Sequence, residues 1–163
     1  KVVKFGQHIN LGQLRVEFIR TNHSIADAAA LAIYSPAGVV VHTGDFKVDY
    51  TPIDGGIIDL AKFGILGKRG VLALMADSTN AERPGFTMSE STVGEVFEEF
   101  FDTDQRILVA TFASNIHRMQ QIINSAIKYG RKLAVVGRSM LNVINVAKEL
   151  GYIDAPDGTI IDI

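Results

Sequence analysis

From Ile107 onward the apolar residues fall into four segments of alternating period. Ile107 to Thr111 is a short β-type run. Ile116 to Tyr129 recurs at helical spacing and stops at Gly130, Leu133 to Val136 is β-type again, and Leu141 to Leu150 is helical and stops at Gly151. Strand, helix, strand, helix in this order predicts a parallel sheet with helices packed on it, because short connections allow little else. Its loops at the strand C-terminal ends carry Ser114-Asn115 and Arg138-Ser139, where open α/β sheets place ligands. The chain stops soon after Ile160-Ile161, so that sheet is expected to be unfinished.

The first half has a different texture. Lys1 to Phe5, Leu14 to Ile19, Leu31 to Tyr34 and Val39 to Val41 are short β-rich runs, and Asn10-Leu11-Gly12 and Ser35-Pro36-Ala37-Gly38 divide them into hairpins. Ala28-Ala29-Ala30 alone favours helix, but Pro36 and Gly38 lie too close for a long one, so a strand is expected. A short helix is expected over Asp59 to Phe63. The continuous apolar run Val71 to Met75 reads as a strand buried on both faces and ends just before Asp77. Thr87 and Glu90 have capping-box spacing ahead of Val93, Val96, Phe97, Phe100 and Phe101, an amphipathic helix. Gly55-Gly56 and Gly67-Lys68-Arg69-Gly70 read as turns, and neither fits a P-loop or a dinucleotide fingerprint.

Composition narrows the chemistry. With 163 residues, 47% of them hydrophobic, the chain can bury a core and is not a disordered tail. Sixteen Lys and Arg against 18 Asp and Glu give a net charge of −2, which excludes nucleic-acid binding through bulk positive charge and leaves only local contacts. The absence of cysteine excludes disulfides, thiolate nucleophiles and Cys-held metals, so a metal would need His and carboxylate ligands. No run approaches 18 apolar residues, and Lys1-Val2-Val3-Lys4-Phe5-Gly6 has neither an initiator Met nor a signal-peptide layout, so a fragment is expected.

The four histidines are dispersed. His23 and Asp45 each fall just past an expected strand, where rigid elements can aim an imidazole and a carboxylate at Zn²⁺ or Mn²⁺. Taken alone they equally suit a polar loop His and a turn Asp bonded to its own backbone. His42 precedes Thr43, is aimed opposite to it by strand alternation, and reads as a structural histidine; His8 receives no role. Asp77-Ser78-Thr79-Asn80 brings a carboxylate to the sheet's working edge, or simply caps a turn. Ala113-Ser114-Asn115-Ile116-His117-Arg118 bridges a strand and a helix, so free backbone N–H groups at the helix start suit an anion and Arg118 can reinforce it. A plain N-cap with solvated Arg and His serves as well.

Taken in order, five stretches closely resemble bacterial ribonuclease J, a β-CASP nuclease of the metallo-β-lactamase superfamily. They are Thr21-Asn22-His23-Ser24-Ile25, Val41-His42-Thr43-Gly44-Asp45-Phe46-Lys47, Ala76 to Gly85, Ala110 to Arg118, and Val136-Gly137-Arg138-Ser139-Met140. The resemblance implies part of a metallo-β-lactamase αββα fold over residues 1–86, then part of an inserted Rossmann-like β-CASP domain with a parallel sheet over 87–163. It implies that His23 ligates one ion of a two-zinc centre and that Asp45 bridges both. It implies that Asp77 supports catalysis by hydrogen bonding to a downstream histidine, and that Ser114, Asn115 and Ile116 contact substrate phosphate through backbone N–H groups. For His117, Arg118, Arg138 and Ser139 it implies proximity to the RNA path.

The implied activity is RNA phosphodiester hydrolysis by metal-activated hydroxide, exonucleolytic or endonucleolytic, in a cytoplasmic homodimer or homotetramer without membrane attachment. The family's His-x-His-x-Asp-His motif and its later histidines are absent, so the chain alone is expected to be inactive and to bind zinc weakly at most. Another hydrolase of the superfamily, or a catalytically dead relative that binds RNA or scaffolds a complex, fits the same residues. A Rossmann-like nucleotide module is disfavoured because no Gly-rich phosphate loop follows a strand.

Overall fold

The structure is a computed structural model and describes residues 2–161. The chain divides into two compact units, residues up to His23 with Asp27–Met88, and Ser24–Ala26 with residues from Ser89 onward.

In the first unit, β1 (His8–Leu11), β2 (Leu14–Arg20), β3 (Ala29–Ser35), β4 (Gly38–His42) and β5 (Ala73–Met75) form one sheet in that order. All neighbours are antiparallel except β4 and β5, which run parallel across the connection containing α1 (Leu60–Arg69). Period-two alternation buries Ala30 and Ala32 on β3 and Val39 and Val41 on β4, and Ile19 of β2 joins them. Leu66 and Phe63 of α1 cover this face; the two alanines let the helix lie close. Asp59 caps α1 by accepting from Lys62 N at 2.9 Å.

The first strand differs from expectation. Of the run Lys1 to Phe5, Lys1 lies outside the described residues and Val2 to Phe5 form no strand, and β1 lies instead at His8–Leu11. The two-residue turn Gly12-Gln13 decides this, since Leu11 pairs with Leu14 and Gly12 takes a left-handed φ of +61°. Helix α1 is also longer than the sequence suggests and absorbs Gly64 and Gly67. Burial of Phe63 and Leu66 offsets the roughly 1 kcal/mol that each interior glycine costs. The run Val71 to Met75 does not form a strand buried on both faces: β5 is a three-residue edge strand, and Leu72, Leu74 and Met75 are 62%, 65% and 54% exposed. Asp77 therefore follows an edge strand, not the middle of the sheet.

A charged cluster ties β2 to β3 and α1. Tyr34 Oη donates to Glu17 Oε2 at 2.7 Å, and Lys62 Nζ lies 2.5 Å from Glu17 Oε1. Burial pushes the Glu17 carboxyl up, but the hydrogen bonds from Lys62 and Tyr34 outweigh it and leave the group below its ordinary value. Its contribution to stability is therefore complete above the unfolded-state pKa and is lost as pH falls through the lower folded-state value. Wild type should lose stability relative to E17Q as pH falls through and below the ordinary carboxylate range in urea titrations at stepped pH; parallel pH curves for the two proteins would contradict the linkage.

The second unit contains α2 (Ser91–Phe101), α3 (Ile116–Lys128), β6 (Leu133–Ala134), α4 (Arg138–Glu149) and β7 (Ile160–Ile161), with β6 and β7 paired in parallel. Ile116, Met119 and Ile123 of α3 pack with Ile144 and Ala147 of α4 and with Ile153 and Ala155. Phe101, Ile122 and Ala126 form the core between α2 and α3, where the Phe97 and Phe101 rings meet edge to face at 6.1 Å.

Three expectations need correction here. Thr87 does not cap α2, and Glu90, the residue before it, makes no side-chain cap bond; Ser89 serves the helix start through its hydroxyl and carbonyl. Of the expected apolar face, Val96 and Phe100 are exposed, so only a narrower stripe through Val93, Phe97 and Phe101 turns inward. Ile107 to Thr111 pairs with no strand among the described residues; Ile107 packs against the α2–α3 core, while Leu108 is 91% exposed.

Candidate functional site

Asn22, at the end of β2, is buried and reaches out in several directions. Its side chain donates to Gly56 O at 3.0 Å and accepts from Ile58 N at 2.8 Å, while its carbonyl accepts from Lys47 N at 2.8 Å. This isolated antiparallel bridge to Lys47 lays the loop after β4 alongside the end of β2. As a result His23 Nε2 lies 3.7 Å from Asp45 Oδ2, with the imidazole 36% and the carboxylate 74% exposed. An imidazole and a carboxylate at this separation, both open to solvent, can share a cation or a proton.

Asp77 belongs to the same surface. Its Oδ1 accepts from Thr79 Oγ1 at 2.7 Å and from Thr79 N at 2.9 Å. Those two hydrogen bonds, with a backbone hydrogen bond from Phe46 and the nearby His23, hold the carboxyl below its usual range, so it is an ionised acceptor at neutral pH. Among the described residues no three His, Asp or Glu side chains converge as a complete metal-ligand set. His42 is exposed at the end of β4, opposite in sense to buried Thr43, and its Nδ1 accepts from Gly44 N at 3.0 Å. His8 is exposed at the start of β1.

In the second unit Asn115 is buried and caps α3, its Oδ1 accepting from Arg118 N at 3.0 Å. The amides of Asn115 and Ile116 donate to the carbonyls of Phe112 and Ser114 at 3.1 and 3.0 Å. Ser114 is exposed, whereas the Ile116 side chain enters the core. Arg118 is not a solvated cation: Nε and Nη2 each lie 2.7 Å from Glu90 Oε1. Gln121 Nε2 adds a bond to Glu90 O at 2.9 Å and lies against Gly94, where a Cβ would meet it at 3.3 Å. His117, the residue before Arg118, is half-buried. Arg138 and Ser139 are not loop residues; they are the exposed first two residues of α4, whose N-cap is Gly137 with a φ of +111°. Sequence reading missed Asn22 and Thr43 as organisers; an Asn beside a strand-terminal His is a signal that could have found the first, and no local signal marks the second.

A mixed sheet ending in a His–Asp pair, followed by a helical unit with a parallel strand pair, is the architecture of a metallo-β-lactamase fold joined to a β-CASP domain. Residues 104–163 match the family model "Ribonuclease J, beta-CASP domain". The chain is 56% identical over 143 residues to ribonuclease J of Synechocystis, covering 87% of this chain and 22% of that protein. It is 46% identical over 157 residues to ribonuclease J of Helicobacter pylori strain J99, covering 96% and 23%. It is 43% identical over 156 residues to ribonuclease J2 of Bacillus subtilis, covering 95% and 28%. A solved structure of a protein of unknown function from Enterococcus faecalis superposes with a TM-score of 0.65 at 16% identity, over 98% of this chain and 40% of that one, and shares the fold. The chain belongs to the ribonuclease J family. It spans about a quarter of the length of the curated relatives it matches.

Proposed function

We propose that the full-length protein is a zinc-dependent ribonuclease hydrolysing RNA phosphodiester bonds, as a 5′-3′ exonuclease, an endonuclease or both, in RNA processing and decay. Residues 1–86 are then the C-terminal part of its first metallo-β-lactamase segment, and 87–163 the N-terminal part of its β-CASP domain. The observation that carries this reading is the approach of His23 Nε2 to Asp45 Oδ2 at 3.7 Å.

The donors fit zinc. A neutral imidazole nitrogen and a carboxylate oxygen are ordinary zinc ligands, and both are open to solvent. His23 would hold one ion and Asp45 would be shared between two; the remaining ligands would come from the rest of the protein. When bound, zinc acidifies the attacking water and neutralises charge that develops on the phosphoryl oxygens.

The chain's own residues do the rest. Ionised Asp77 accepts a hydrogen bond from a histidine further along the full-length protein and so steadies it. Ser114, Asn115 and Ile116 take a substrate phosphate on their backbone N–H groups at the start of α3. Binding there exchanges the carbonyl partners of the Asn115 and Ile116 amides for phosphate oxygens. His117, Arg118, Arg138 and Ser139 flank the RNA, Arg118 through its pair with Glu90. Because the net charge is −2, affinity rests on these local contacts. Among the described residues no helix is long and apolar enough to cross a membrane. The protein works in the cytoplasm as a homodimer or homotetramer.

The purified full-length protein should degrade 5′-monophosphorylated RNA, lose activity on chelation and regain it with Zn²⁺, whereas the 163-residue chain alone should be inactive. Chelator-resistant cleavage by the full-length protein would refute the zinc-dependent reading. Robust zinc-dependent cleavage by the isolated chain would refute the division of the ligand set.

A further inference from the structure

Thr43 stands one residue past β4 and is 6% exposed. Its hydroxyl donates to Gly44 O at 2.7 Å and accepts from Asp77 N at 3.0 Å, while its own N–H bonds to Met75 O at 3.0 Å. In return, the Asp77 carboxylate receives a backbone hydrogen bond from Phe46. The loop that carries Asp45 and the loop that begins at Asp77 are thus locked by reciprocal bonds across 34 residues of sequence. Gly44 gives the first loop no slack. It sits at φ +60°, and a Cβ there would meet Ala29 O at 3.0 Å.

We propose that Thr43 is a positioning residue whose hydroxyl clasps the Asp45 and Asp77 loops together and so fixes the two carboxylates of the site relative to each other. The inference rests on the function proposed above. A hydroxyl is required because the same atom must donate to one loop and accept from the other. Serine can do both; valine, of nearly the same shape, can do neither and leaves the Asp77 N–H without its partner.

The test uses the full-length protein. T43S should stay within about threefold of wild type, whereas T43V should lose about tenfold to a hundredfold in kcat at unchanged KM. T43V should also bind zinc about tenfold more weakly in chelator competition, while still melting cooperatively. T43A replaces T43V if the latter does not fold. Wild-type kcat and zinc affinity in T43V, or T43S as damaged as T43V, would overturn the proposal. So would a chain in which T43S folds and neither T43V nor T43A does, since Thr43 would then serve stability alone. If the wild type itself neither holds zinc nor cleaves RNA, the function fails separately and amide exchange decides the clasp. Slow exchange at Asp77 in wild type and T43S but not in T43V supports it; equal protection in all three overturns it.

Discussion

Replacing Asp45 by Ala in the full-length protein should lower kcat by on the order of 10³-fold or more and reduce the zinc recovered with the purified enzyme. The carboxylate is 74% exposed, so its removal leaves neither a cavity nor an unpaired buried partner, and the fold should melt as before. The same exposure makes the result specific: a surface Asp in a solvated turn would give an unchanged enzyme. Its imidazole neighbour His23 lies at 3.7 Å. Retained turnover with full zinc loading, measured by single-turnover cleavage and elemental analysis, would exclude a bridging role.

The second large effect is on stability. Ile123 is fully buried in α3 among Ile116, Met119, Ile144, Ala147, Ile153 and Ala155, on two helices and the segment after them. Ile123→Ala removes about three methylene-sized groups from a site enclosed on all sides, and the expected loss is about 2–5 kcal/mol. It should appear in urea titration as a lower midpoint at unchanged slope. The same helix presents Ser114, Asn115 and Ile116 at its start, so I123A should also weaken RNA binding near the midpoint and leave it intact in native buffer. A loss below 1 kcal/mol would mean that the α3–α4 core is not closed as described.

What could be read from the sequence was what local chemistry fixes. Helix α3 was legible end to end because Asn115, the apolar period and Gly130 all act within a few residues of one another. His23 and Asp45 were legible as polar residues just past β-type runs, but not their separation, which depends on the Asn22–Lys47 bridge 25 positions apart. Thr43 was invisible as an organiser because its partner is 34 residues away and nothing in its own neighbourhood announces a hydroxyl with two obligations. The strand expected at Ile107 to Thr111 failed for a related reason: apolar β-prone residues make a strand only when another strand offers them hydrogen bonds. Arg118 was read as a free cation because its charge is local while Glu90 lies 28 residues earlier. Arg138 and Ser139 were assigned to a loop since Gly137, a poor helix signal, is what starts α4.

The three-residue edge strand β5 carries a further implication for handling the molecule. It offers one row of peptide groups to β4 and, among the described residues, pairs with no strand on its other side, flanked by the exposed side chains of Leu72, Leu74 and Met75. No lysine, proline or bulge interrupts Ala73–Met75 to discourage lateral growth of the ladder. Separated from whatever shields that margin, the chain would present a sticky ribbon, and its monomers would tend to add to one another through it.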